Sequence, residues 1–192
     1  MRAGSHPMIM DRNAAIGLLC QHVHEDSLVK HCLATGAIMR AVAGNLGGDP
    51  DAWERIGILH DIDFEEINGD MQRHGIAGAG ILKAHGIETD CADIVAAHNH
   101  HLHTAPYERP VEIALQAADS ASGLILACAL VKGGSLSDVS VKTITKKAKE
   151  KSFAAGCDRA RIVLIAPLMD LPVFYDHALR GMMEIRSDLA LK

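Results

Sequence analysis

The chain has 192 residues and a mass of 20.5 kDa, a size that fits one domain burying roughly two-thirds of its unfolded surface. Hydrophobic residues make up 48% but aromatics only 3%, so the core must be built from Ala, Leu, Ile, Val and Met, which favours close-packed helices over a β-sandwich. The formal net charge of −5 argues against general nucleic-acid binding, and five cysteines without a Cys-x-x-Cys pair argue for reduced thiols and a cytoplasmic protein.

Residues 1–9 contain Gly4-Ser5-His6 and no apolar core, so they read as a disordered or vector-derived start rather than a signal peptide. Residues 10–192 read as a single domain. Apolar periodicity predicts helices over 10–23, 26–46, 50–60, 74–85, 89–98, 110–131, 141–150, 158–166 and 170–190, with little support for strands. Asp26 and Asp49-Pro50 carry cap and first-turn signals, while Gly47-Gly48 and Gly133-Gly134 mark helix ends. Gly75, Gly78 and Gly80 weaken an isolated helix and so point to close approach of another backbone. The most apolar segment, 123–131, is shorter than a membrane span, and no membrane contact is expected. Lys132, Lys142, Lys146, Lys147, Lys149 and Lys151 read first as a solvated face with Lys146 paired to Glu150, and second as a patch steering an anionic substrate. Beyond them, Arg159 and Arg161 are available to fork a phosphate at a site mouth, or to cap and cover the surface. The final stripe, with Leu171, Phe174, Ala178, Met182 and Ile185, either closes the core or forms a homodimer.

Several of these helices carry polar residues where an apolar one is expected. His31 shares a face with Leu28, Thr35, Ile38 and Val42, and Asp119 shares one with Leu115, Ser122 and Leu126. His60-Asp61 ends the apolar run 56–59, and His98 ends a run through Ile94 and Val95. A His-Asp pair arises about once by chance in such a chain, so the weight lies in the context. Burying an unpaired carboxylate costs several kcal/mol, and imidazoles with carboxylates converging from several helices suit a borderline divalent cation.

The order His31, His60-Asp61, Asp119 resembles the HD-domain superfamily of metal-dependent phosphohydrolases. His74-Gly75-Ile76-Ala77-Gly78-Ala79-Gly80-Ile81-Leu82 and Ile94-Val95-Ala96-Ala97-His98 resemble the HDIG-type subgroup. The resemblance implies an all-α HD-type bundle with a metal site in its core. It assigns His31, His60, Asp61 and Asp119 to a first metal, Asp61 as a bridge, and His74 and His98 to a second. It implies Mn, Fe, Co, Ni or Zn as the one or two cofactors, metal-activated water as nucleophile, and a small anionic phosphorylated substrate such as a nucleotide. This chain departs from the subgroup at Asp63-Phe64 and at Asn99, where many two-metal members have a second His, and it has no Gly-Tyr-Pro triplet.

The catalytic candidates are Asp61 as the bridge, with Asp63 or Glu65 for proton transfer, Glu66 a further candidate and Asp63 preferred for lying two residues from the bridge. His100 or His101 competes with His98 as ligand. Cys32 adjoins His31, but adjacent helical residues diverge by about 100°, which disfavours a thiol nucleophile. Two rivals stand beside the hydrolase: a di-iron oxygenase of the myo-inositol-oxygenase type, built on the same ligand set, and a non-enzymatic metal- or nucleotide-binding module.

Overall fold

A computed structural model describes residues 10–192, and the start expected at 1–9 lies outside the described residues. All nine predicted helices are present: α1 (Arg12–His22), α2 (Asp26–Ala43), α3 (Pro50–Leu59), α4 (Ile76–Ala84), α5 (Thr89–Ala97), α6 (Pro110–Leu130), α7 (Val141–Ala148), α8 (Arg159–Val163) and α9 (Leu171–Glu184). No strand occurs among the described residues, and the fold is an all-helical bundle.

The helix ends follow local chemistry. Asp11, Asp49, Ser140 and Asp158 each accept a backbone N–H from the first turn that follows. Pro50 and Pro110 open α3 and α6, where the missing N–H has no intrahelical partner to lose. Two expectations shift here. Asp26 lies inside α2 and pairs with Lys30 instead of capping; the amides of His24 and Glu25 are taken by the Glu65 carboxylate, from a turn distant in sequence. Lys147, not Lys146, pairs with Glu150, and its ammonium lies 4.7 Å from the centre of the Phe153 ring.

Helix α2 is the hub, packed by α3, α6 and α9. Its closest crossing is with α3, where small residues meet. A Cβ on Gly57 would lie 2.6 Å from the Gly36 Cα, and one on Gly36 would lie 2.7 Å from Ile58 Cγ1. That backbone approach brings the start of α2, with His31, alongside the end of α3, with His60. On another face of α2, Gly181 of α9 leaves no room for a side chain against the Ala37 carbonyl. Phe174, Ala178 and Met182 are fully buried, so the last helix closes the core.

The membrane expectation needs correction. Helix α6 has 21 residues and a window of mean hydropathy 1.6, long and apolar enough to cross a bilayer by length and composition. The segment 123–131 covers only the end of this helix, and the apolar residues before Asp119 extend it. Within the fold, 67% of that window is buried against other helices, as suits the central helix of a bundle.

Gly57→Ala should lower unfolding free energy by about 1–3 kcal/mol, because the added methyl meets backbone that cannot yield. Chemical denaturation checks this, and a loss no larger than at Gly17, where nothing lies within 4 Å, would contradict the crossing.

Candidate metal centre

Six side chains meet where α2, α3, α5 and α6 converge. Their donor atoms form two groups of three, His31-His60-Asp119 and Asp61-His74-His98, each within 4.8 Å of one another. Asp61 stands between them. Its Oδ1 is 3.3 Å from the Nε2 atoms of His60, His74 and His98, and its Oδ2 is 3.5 Å from His31 Nε2. Asp119 Oδ1 lies 3.3 Å from His31 Nε2 and 3.9 Å from His60 Nε2. The structure thus gathers all six predicted ligands. It brings in His98 rather than His100 or His101, which pack against each other with ring centres 4.1 Å apart and line a cleft beside the cluster.

Each imidazole is oriented through its other nitrogen. His60 and His98 are the C-caps of α3 and α5, where helical carbonyls lack intrahelical partners. Their Nδ1–H groups donate to the carbonyls of Gly57 at 2.8 Å and Val95 at 2.6 Å. His74 Nδ1 donates to Asp63 Oδ1 at 2.9 Å. For His31 the partner is Ser122 Oγ at 2.9 Å; that hydroxyl gives its only proton to the Asp119 carbonyl at 2.7 Å and must accept from the imidazole. All four rings therefore turn Nε2 toward the two carboxylates. Such a carboxylate or carbonyl behind a histidine is the usual support of a metal ligand.

The donor set fits a cation. His60 Nε2 is buried with no hydrogen-bond partner, and the Nε2 atoms of His74 and His98 face each other at 3.0 Å. With both Nδ1 protons committed, two facing lone pairs repel unless a proton or a metal lies between them. Burial pulls the His60 imidazolium down to about 4, so that ring is neutral, as a ligand must be. Burial also opposes charge on His31 and His74, but hydrogen bonds to Asp119 and Asp61 push His31 up to about 10, and those to Asp61 and Asp63 push His74 up to about 9. Burial acts to raise Asp61 and Asp119, and is outweighed, for Asp61 by the imidazoles of His60, His31, His74 and His98 around it and for Asp119 chiefly by its bond to His31 and the charge of Arg161, so both sit below the ordinary carboxylate range.

Two of the residues expected to transfer protons are engaged elsewhere. Asp63 is fully buried; beyond His74, its Oδ2 accepts the amides of Gly75 and Gly78 at 2.8 Å each. It orients His74 and ties the turn after α3 to α4. Gly75, at φ +80°, allows this, since a Cβ there would lie 2.9 Å from the Val95 carbonyl. Glu65 is bound to the amides before α2, and those bonds hold its carboxyl below the usual range. Glu66 contacts His22, outside the cluster. Cys32 is fully buried, and burial pushes its thiol well above the ordinary range, which disfavours a thiolate nucleophile there.

Gln116 was not foreseen. Its amide donates to the His98 carbonyl at 2.8 Å while its oxygen accepts from Arg161 Nε at 2.7 Å, and Arg161 Nη2 stands 2.6 Å from Asp119 Oδ2. The signal was available, because Gln116, Asp119 and Ser122 recur at intervals of three along an otherwise apolar helix.

An HD domain is matched over residues 28–127, a stretch holding all six converging side chains. The chain belongs to the HD-domain family. Among curated relatives, this HD domain is similar to Ribonuclease Y of Oleidesulfovibrio alaskensis, with 30% identity over 125 residues, 62% of this chain and 22% of that protein. It is similar also to Ribonuclease Y of Nitratidesulfovibrio vulgaris, at 31% over 63% of this chain and 23% of the relative, and of Fusobacterium nucleatum, at 28% over 50% and 18%. The chain thus spans less than a quarter of the length of these relatives. No solved structure matches it.

Two measurements follow from the geometry. Cation uptake must displace the protons on His31 and His74, so chelator-treated protein should release about two protons per chain on loading at pH 7 and bind more tightly as pH rises toward 9. Calorimetry in buffers of different ionisation enthalpy reads the number, and no proton release would contradict the protonated state of His31 and His74. Asp63→Asn should weaken one of two bound metals by about 10–100-fold and leave the other in place, as elemental analysis after dialysis against graded chelator would show.

Proposed function

We propose that this HD domain is a metal-dependent phosphohydrolase acting on a phosphate ester, with His31, His60, Asp61 and Asp119 holding one divalent cation and Asp61, His74 and His98 a second. The observation that carries the reading is the common orientation of the four imidazoles: each Nδ1 is committed outward and each Nε2 is aimed at one pair of buried carboxylates. A mere structural histidine has no need of such convergence. When bound, divalent cations there supply a lowered pKa for water and neutralise charge on a phosphoryl oxygen.

The chain's own groups provide the rest. Asp61 turns Oδ2 toward His31 and Oδ1 toward His60, His74 and His98, and Asp119 is kept charged by His31 and Arg161. Access runs past His31, which borders two clefts. One, of about 540 Å³, is lined by Glu25, Leu28, Phe64 and Glu65; the other, of about 710 Å³, by His100, His101, Asp119 and Arg161. Both exceed what a single water needs. The similarity to proteins named Ribonuclease Y supports phosphodiester cleavage as the reaction to try first. A small phosphorylated metabolite or nucleotide remains in keeping with clefts of this size. A cytoplasmic setting is part of the same proposal, resting on the unpaired cysteines.

With Mn²⁺ or Co²⁺ and without oxygen, the protein should turn over bis(p-nitrophenyl) phosphate or p-nitrophenyl phosphate. Asp61→Ala should lose about 100-fold or more while its melting curve stays cooperative. Turnover that requires oxygen would favour the oxygenase instead. A folded, metal-loaded protein inert toward every phosphoester would overturn the reading.

A further inference from the structure

The two arginines after Lys151 have different fates. Arg159 is spent on backbone: Nη1 donates to the carbonyls of Ala154 and Cys157 at 2.7 Å each, and Nη2 to those of Phe153 and Glu150. The segment 150–158 thus curls around one guanidinium and forms a wall of the larger cleft. Arg161 faces the cluster. Its Nε is held by Gln116 Oε1, and its Nη2 pairs with Asp119 Oδ2 by charge rather than by an aligned hydrogen bond. Among the described residues nothing hydrogen-bonds to its Nη1, and that atom is not one of the buried unsatisfied ones. Arg161 lines the larger cleft together with His31 and Asp119.

The geometry points to Arg161 as the residue that binds an anionic oxygen of the substrate, a phosphoryl group lying between the metal centre and α8. The assignment rests on the phosphohydrolase reading and names a specificity residue for it. A guanidinium fixed on two nitrogens presents the third at a set angle, so little conformational freedom is lost when an anion arrives. The charge distribution agrees. The cleft on the other side of His31 carries Glu25 and Glu65 with no Lys or Arg, whereas this one carries Arg161. Of its two carboxylates, Asp158 is bound to the Ala160 amide and Asp119 to Arg161 itself. Arg161 also lies beyond residues 28–127, so it is supplied by a part of this chain outside the matched domain.

The test uses inorganic phosphate as probe, titrated by calorimetry into protein that retains its metals, with metal content and melting temperature measured for each variant. In Arg161→Met, phosphate should bind about tenfold or more weakly. In Arg161→Lys, which keeps a charge beside Asp119 but not the fork, binding should weaken several-fold; both should keep the wild-type metal content. KM for a phosphoester should rise by a similar factor, with kcat changing less. Unchanged phosphate affinity in Arg161→Met overturns the assignment, as does a wild-type protein that does not bind phosphate. Loss of metal in step with phosphate in both variants overturns it too, because Arg161 would then act only by supporting Asp119. If Arg161→Met does not fold, Arg161→Lys decides by the same comparison. Should no phosphoester be turned over while phosphate binding still depends on Arg161, the anion site stands and the phosphohydrolase reading falls.

Discussion

Everything in this fold answers to two carboxylates placed where carboxylates do not belong. Asp61 is buried and Asp119 largely so, beside a core built mainly of Ala, Leu, Ile and Val, and an isolated charge there would neutralise itself or destabilise the fold. Four imidazoles and one guanidinium surround them. Those groups are in turn held by carbonyls, a hydroxyl, an amide and the carboxylate of Asp63. The arrangement leaves His60 Nε2 without a partner and two Nε2 atoms face to face. A core that satisfied its polar groups for stability alone would not leave the first.

The packing serves this convergence. Small residues at the α2/α3 crossing and at the start of α4 remove side-chain volume where backbones must approach. His31, His60 and His74 then arrive within a few ångströms from elements far apart in sequence. Helix ends matter as much as helix faces. His60 and His98 are C-caps whose rings donate to carbonyls in the last turns of α3 and α5, so the feature that terminates each helix also sets the tautomer of its histidine.

Much of this was legible in the sequence, for an identifiable reason. A histidine or aspartate in an apolar periodic stripe conflicts with burial, and that conflict marked His31, Asp119, His60-Asp61 and His98 before any coordinates. The helices were equally readable, because Asp, Ser and Pro at their starts and Gly at their ends act locally. The roles of Asp63 and Glu65 were not. Proximity to Asp61 along the chain suggested chemistry, yet a tight turn sends Asp63 back onto the amides of α4 and Glu65 onto those before α2. These are contacts across 11 to 41 residues that no local pattern encodes. The difference between Arg159 and Arg161 is of the same kind, since it depends on which way a five-residue helix faces.

Helix α6 has a consequence outside the folded state. It is apolar enough to pass for a membrane span, and Asp119 near its middle is one of the few charges it carries. An aspartate at the centre of a helix in a bilayer costs about 2.5–3.5 kcal/mol on insertion scales. The side chain assigned above to the proposed metal centre is therefore also the one that opposes partition of this helix into lipid. Replacing it with an apolar residue would alter two things at once: the charge balance of the core, and the compartment to which an unfolded chain is drawn.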